Sequence, residues 1–196
     1  MGGTGKTPFV LGLVAWAKTG GLSPGVVSRG YKSANREARR VEASQSDAAH
    51  LFGDEPTLIA EKYSDVPVYV GVDRFAVAEK LIAENAVDFI ILDDGFQHRR
   101  LYRDLDIVLI DALSKLKNEP VLPAGNLRES PERLRQAHFI VITRANLVDE
   151  KILRQIHREL DELGVSKAIR IEDRVEVKRV LEWRPSSAEL SEVSQE

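Results

Sequence analysis

Apolar runs alternate with stretches of helical period along this chain. That alternation is the mark of strands and helices layered on one sheet. Pro8 fits the first turn of a helix, where a missing N–H costs nothing. Phe9, Leu13 and Trp16 recur at helical spacing, and Gly20-Gly21 stop that helix. Gly25–Ser28 reads as a short strand that runs into Arg29-Gly30-Tyr31. Residues 34–45 are polar and basic, a loop or an edge hairpin. Residues 47–63 read as helical around a break at Gly53-Asp54-Glu55-Pro56. Val66–Val70 is a strand. Asp73 caps a helix expected to pack Phe75, Ala78, Leu81 and Ile82 on one face. Phe89-Ile90-Ile91-Leu92 is wholly apolar, as for a strand buried on both faces. Ile107–Ile110 and Phe139–Ile142 are further strands, Asp149–Leu163 is an amphipathic helix closed by Gly164, and Ala168–Ile171 is a last strand.

These elements predict an α/β, three-layer nucleotide-binding fold with a mostly parallel sheet. Residues 1–183 are expected to form the core domain. Residues 184–196, rich in Ser and Glu, are expected to be a disordered polar tail.

Composition narrows the function classes. A chain of 196 residues holds 28 basic and 31 acidic side chains, a net charge of −3. That balance gives no electrostatic case for a nucleic-acid binder. The absence of cysteine excludes disulfides and thiolate metal sites. The longest apolar run, Phe9–Ala17, falls far short of the ~20 residues a membrane span needs. The chain is therefore expected to be soluble.

The chemistry starts at Gly2-Gly3-Thr4-Gly5-Lys6-Thr7, the closing half of G-x-x-x-x-G-K-[ST]. Glycines let the backbone approach phosphate oxygens, so Gly2, Gly3, Thr4, Gly5, Lys6 and Thr7 are the nucleotide-binding candidates. Lys6 would bridge the β- and γ-phosphates, and the Thr7 hydroxyl would hold Mg²⁺. A strand normally feeds such a loop, and only Met1 precedes this one, so the reading expects a chain cut away at its start. Asp93 and Asp94 follow the apolar strand and form a second nucleotide motif, a carboxylate delivered to the metal shell. Side chains alternate along a regular strand, so both cannot face one ion unless the chain turns, as Gly95 suggests. Asp93 is the metal candidate, and Asp94 assists through water or a substrate contact. Asp54 has two readings. It is a helix cap with Pro56 in the first turn, which the residues alone favour, or a base beside a substrate hydroxyl. Arg29, Arg74, Arg99, Arg100, Arg103 and Arg128 flank strand ends, where the ligand crevice of an open α/β sheet lies. His98 is either a catalytic group or a loop histidine bonded to backbone.

Seven motifs stand in order: Gly2–Pro8, Ser28–Tyr31, Gly53–Pro56, Val72–Arg74, Asp93–His98, Asp104–Asp106 and Leu122–Glu129. Over residues 1 to about 150 the chain resembles the tetraacyldisaccharide 4′-kinases of lipid A synthesis. The resemblance implies ATP- and Mg²⁺-dependent transfer of the γ-phosphate to the 4′-hydroxyl of a tetraacyldisaccharide 1-phosphate, giving lipid IVA. It implies peripheral work at the cytoplasmic face of a bacterial inner membrane, with ATP and the lipid as partners. It makes Asp54 the base, with Lys6 and Asp94 as the other catalytic candidates. Thr7, Asp93 and Glu129 would form the metal shell, and Tyr31, Arg74, Gln97 and Arg128 would line the substrate site. The family also carries an N-terminal apolar helix, a first strand and a C-terminal region that this sequence lacks. The reading is thus of a fold truncated at both ends.

Three other functions compete. A deviant-loop ATPase switch needs a lysine before Gly2-Gly3, where Met1 stands. A GTPase needs an Asn-Lys-x-Asp-like tetrad, and Thr143-Arg144-Ala145-Asn146 lacks the carboxylate. A degenerate, non-catalytic copy would keep the fold without turnover.

Overall fold

The structure, a computed structural model, describes residues 5–30, 37–96, 98, 100–114, 131–165, 168–173, 180–182 and 191–193. They form two compact units, divided after Leu109. In chain order the first holds α1 (Lys6–Thr19), β1 (Pro24–Ser28), β2 (Arg39–Arg40), α2 (Ala48–Phe52), α3 (Asp54–Lys62), β3 (Val68–Val70), α4 (Arg74–Glu84) and β4 (Phe89–Leu92). Its sheet runs β2-β3-β1-β4. β1 lies parallel to both β3 and β4, and β2 is an antiparallel edge inside the 34–45 stretch read as a loop or an edge hairpin.

Alternation along β1 makes this unit three layers deep. Val26 packs with Val10 and Val14 of α1, Phe52 of α2, Ile59 of α3, and Val68 and Ile91 of the sheet. The next residue, Val27, points the other way and packs with Tyr69, Val77, Ala78 and Leu81. Leu81 is fully buried, which stabilises the unit by ~1.5–3 kcal/mol. Its methyls sit so close to β1 that a Cβ on Gly25 would stand 2.8 Å from one of them. Gly53 separates α2 from α3 with φ 95°, a value that glycine adopts without strain.

Two sequence expectations fail on facing, and the spacing noted in α1 does not mark its most buried side. In α1 the buried positions are Val10, Val14 and Ala17, whereas Trp16 is 66% exposed. In α4, Arg74, Val77, Ala78 and Leu81 are buried, while Phe75 and Ile82 face outward. β4 is only half-buried except at Ile91, because it is the edge of its own four-stranded sheet.

In the second unit β5 (Ile107–Asp111), which begins just before the division, β6 (Phe139–Thr143) and β7 (Ile169–Glu172) form a sheet in that order. β6 and β7 are parallel. Between them lies α5 (Glu150–Glu162), which buries Ile156 and Leu160 and stops before Gly164 at φ 73°. Residues Val180–Glu182 (β8) and Ser191–Val193 (β9) pair antiparallel. The second of these lies inside the stretch expected to be an unordered tail.

Candidate functional site

Register fixes where the chemistry collects. Ser28 pairs with Val70, and Val27 pairs with Leu92. The carboxyl ends of β1, β3 and β4 therefore finish level, and the residues just beyond them share one edge. Asp93 continues the ladder by one step, its N–H donating to the Val27 carbonyl at 2.8 Å. Its side chain accepts a hydrogen bond from the Ser28 hydroxyl at 3.1 Å, and the residue is 5% exposed.

The chain turns immediately afterwards. Asp94 has φ 52°, in the left-handed region that non-glycine residues seldom occupy. The turn answers the alternation problem: the two aspartates need not lie on opposite faces. The Lys6 ammonium donates to Asp94 Oδ1 at 2.9 Å. Lys6 is the first residue of α1, and Gly5 before it adopts φ 79°. Thus the start of α1, with Thr7 in its first turn, comes to the edge where β4 ends.

A second helix start converges there. Burial raises the Asp93 carboxyl above the ordinary aspartate value, and the charge of Glu55 raises it further. Ser28 and Lys6 offset this in part, while Asp94 adds to it. Glu55 stands in the first turn of α3 beside Asp54, which is exposed. Asp54 is not the cap that the residues alone favoured. Gly53 holds that position, and no side chain caps the helix.

Arg74 opens α4 behind its cap, Asp73, whose carboxylate accepts from the Phe75 N–H at 3.0 Å. The Arg74 guanidinium is buried. Its Nη1 donates to the carbonyls of Val72 at 2.9 Å and Gly71 at 3.3 Å. Burial lowers its pKa, as does the charge of Arg29, against the opposing pull of Asp94, Asp93 and Asp73. Its Nε is buried with no hydrogen-bond partner among the described residues. His98 is similar. Burial and the nearby Arg74 lower its pKa, and its Nε2 is buried without a described partner. The His98 backbone is firmly held: its N–H donates to Gly95 at 2.9 Å, and its carbonyl accepts from Arg103 Nη1 at 2.6 Å. Arg103 in turn forks onto Asp106 at 2.6 and 3.3 Å.

The structure therefore brings Lys6, Asp93, Asp94 and Arg74 together, with Glu55 acting on Asp93; Thr7 follows Lys6 in sequence and Asp54 precedes Glu55. Gly2, Gly3, Thr4, Tyr31, Gln97, Arg99, Arg128 and Glu129 lie outside the described residues. Two participants were missed. Ser28 could have been found as the neighbour of Asp93 across the β1–β4 pair. Glu55 was passed over for Asp54, although both sit in the first turn of α3.

Among the described residues no three His, Asp or Glu side chains converge as a ready-made metal cage. Magnesium does not require one. It takes one or two carboxylates and completes its shell with water and substrate phosphates. A buried carboxylate loaded by a like charge, beside a helix that opens on Lys-Thr, suits that mode.

Residues 1–189 match the family described as Tetraacyldisaccharide-1-P 4′-kinase, LpxK. The chain belongs to the tetraacyldisaccharide-1-P 4′-kinase family. Among proteins named tetraacyldisaccharide 4′-kinase, it is 47% identical over 146 residues to one from Shewanella sp. (strain W3-18-1). That match covers 74% of this chain and 42% of the relative. It is 38% identical over 160 residues to one from Bdellovibrio bacteriovorus, covering 82% and 47%. The chain thus spans less than half the length of these curated kinases. It also superposes on the "apo" form of LpxK from Aquifex aeolicus, crystallised in complex with ATP. There the TM-score is 0.67 at 28% identity, over 89% of this chain and 68% of that one. The α/β, mostly parallel fold is that of this kinase family.

Proposed function

We propose that this chain carries the nucleotide-handling core of a kinase that phosphorylates a hydroxyl of an acylated disaccharide 1-phosphate. The donor is ATP, and the product of the complete reaction is the 4′-phosphorylated lipid A precursor, lipid IVA. One observation carries the reading: the Lys6–Asp94 ion pair beside buried Asp93. It joins the lysine of a Gly-Lys-Thr helix start to the acids that end a buried strand. The relatives' names supply the acceptor class.

The roles follow from chemistry. Lys6 exchanges Asp94 for phosphate oxygens and neutralises charge on the transferring group. Asp93, held by Ser28, and the Thr7 hydroxyl would hold Mg²⁺. That ion, when bound, supplies electrostatic stabilisation of the triphosphate. By family position, Glu129 would be a further residue to hold the ion. Asp54 takes the proton from the attacking hydroxyl. Arg74 presents its unpaired Nε to an acceptor on the substrate, with Tyr31, Gln97 and Arg128 lining the same place by family position. The work is done at the cytoplasmic surface of a bacterial inner membrane.

Phosphate transfer from labelled ATP to the acylated disaccharide tests the assignment. In a version spanning the length of its relatives, Asp54→Asn is expected to cut turnover by ~10²–10⁴-fold at saturating substrate. A change below tenfold would remove Asp54 from the role of base.

A further inference from the structure

The segment between β4 and β5 carries an arginine that the phosphate chemistry leaves unused. Arg103 flanks a strand end, where a guanidinium is expected to face phosphate. Four hydrogen bonds commit it to the protein instead. Nη1 donates to the carbonyls of His98 at 2.6 Å and Leu101 at 3.2 Å. Nε and Nη2 donate to the two carboxylate oxygens of Asp106 at 2.6 and 3.3 Å. The two side chains are 19% and 14% exposed, so the fork is largely shielded from water. A cation engaged in this way does not serve as a phosphate ligand.

These bonds tie together both ends of one loop. His98 lies on the β4 side, and Asp106 stands immediately before β5. Between them Leu101 packs against Val77, Ala78 and Leu81, the buried face of α4. The bonded turn leads back into the site. The His98 N–H closes on the Gly95 carbonyl at 2.9 Å, and a Cβ on Gly95 would collide with the Leu92 side chain. Asp94 opens the turn at φ 52° and accepts from Lys6 at 2.9 Å. A non-glycine residue held there is strained, and it keeps the conformation only where its surroundings fix it. Lys6 holds the near end of the turn, and Arg103 holds the far end.

We propose that Arg103, braced by Asp106, is a positioning residue for phosphoryl transfer. It locks the Asp94–His98 turn, so that Asp94 stays at the phosphate edge when Lys6 exchanges it for phosphate oxygens. The proposal deepens the kinase reading and rests on it. The role needs a planar fork that reaches two carbonyls and a carboxylate at once. Lysine supplies the charge without the fork, so it is not an equivalent.

The test is steady-state kinetics in a version spanning the length of the relatives, with amide hydrogen exchange on the chain itself. Arg103→Lys is expected to lower kcat by ~10–100-fold, the range for groups that orient the residues around a metal site. KM for ATP is expected to stay near the wild-type value, because no contact to the nucleotide is lost. Asp106→Asn is the milder variant and is expected to lower kcat by a smaller factor. The His98 amide is expected to exchange faster in both. Wild-type kcat in Arg103→Lys, with circular dichroism showing the variant folded, overturns the proposal and leaves the fork a purely structural one. A raised KM with kcat retained overturns it in favour of a cation that binds phosphate. Should Arg103→Lys fail to fold, Asp106→Asn decides on the same criteria. Absence of turnover in the wild type counts against the kinase reading and not against the lock. In that case unchanged His98 exchange in both variants overturns the lock on its own.

Discussion

Two buried aspartates end two strands, and their surroundings differ. Asp111, at the end of β5, is 8% exposed and fully served within its unit. It takes the Arg144 guanidinium as a fork, with Nε to Oδ1 at 2.9 Å, and accepts the Leu113 N–H at 3.1 Å. Asp93, at the end of β4, is 5% exposed. Its environment offers it one hydroxyl and the through-space charge of Lys6, outweighed by burial and by the like charges of Glu55 and Asp94. The first aspartate is neutralised inside the protein. The second is left short of positive charge, which is the condition of a group that meets a cation from outside. Burial and an acidic residue in a strand end do not separate structure from function. The completeness of the partner set does.

Substitutions sharpen this contrast. The largest effect is expected at Lys6. Lys6→Ala should abolish phosphoryl transfer in a version spanning the length of the relatives, with the far-ultraviolet circular dichroism unchanged. Retained turnover would detach the loop from catalysis. Next comes the structural pair. Arg144→Ala strands Asp111 without its cation and should cost about 3 kcal/mol of stability by urea unfolding. ATP affinity at temperatures where the variant is folded should not change. A loss below 1 kcal/mol would erase the distinction between the two aspartates.

Asp93→Asn should move the two properties apart. Burial and Glu55 hold the folded pKa of Asp93 above its unfolded value. Above that folded value the charged carboxylate therefore opposes folding. As pH falls through it toward the unfolded value, the folded state takes up the proton first and the penalty is relieved. The asparagine variant should therefore unfold at a higher temperature than wild type at pH 7.5 without nucleotide. That gain should vanish as pH approaches 4, and the variant should lose magnesium-dependent nucleotide binding. A lower midpoint at pH 7.5 would show that Asp93 is satisfied as Asp111 is. The smallest effect is expected from Ser28→Ala, which removes one neutral donor worth about 1 kcal/mol. It should also push the Asp93 carboxyl further up, narrowing the pH range of magnesium-dependent binding from its acid side.

Much of the site was legible because it is written in local sequence. Gly5-Lys6-Thr7 ends a phosphate-loop pattern just where a helically spaced stretch begins, and Phe89–Leu92 reads as a strand by composition. The pairing of Lys6 with Asp94 follows once both ends reach one sheet edge. Facing was harder to read. Phe75 and Ile82 are apolar and helically spaced, yet α4 meets the sheet through Val77, Ala78 and Leu81. Helical period defines a stripe, and only the angle of docking selects which stripe is buried. β4 is as apolar as a central strand but stands at the edge of its sheet, because strand order is a property of the whole unit. Glu55 escaped notice for a related reason. Its influence on Asp93 runs through space from α3 to β4, and nothing in Gly-Asp-Glu-Pro points to that partner.

The central claim is that the edge shared by the start of α1 and the end of β4 grips a triphosphate with its divalent ion. Calorimetric titration of ATP into this chain, with magnesium and then with EDTA, tests it most directly when repeated on Lys6→Ala. Saturable binding that needs magnesium and is lost in the variant is the predicted result. No binding to the wild type, or equal affinity in the variant, would contradict it.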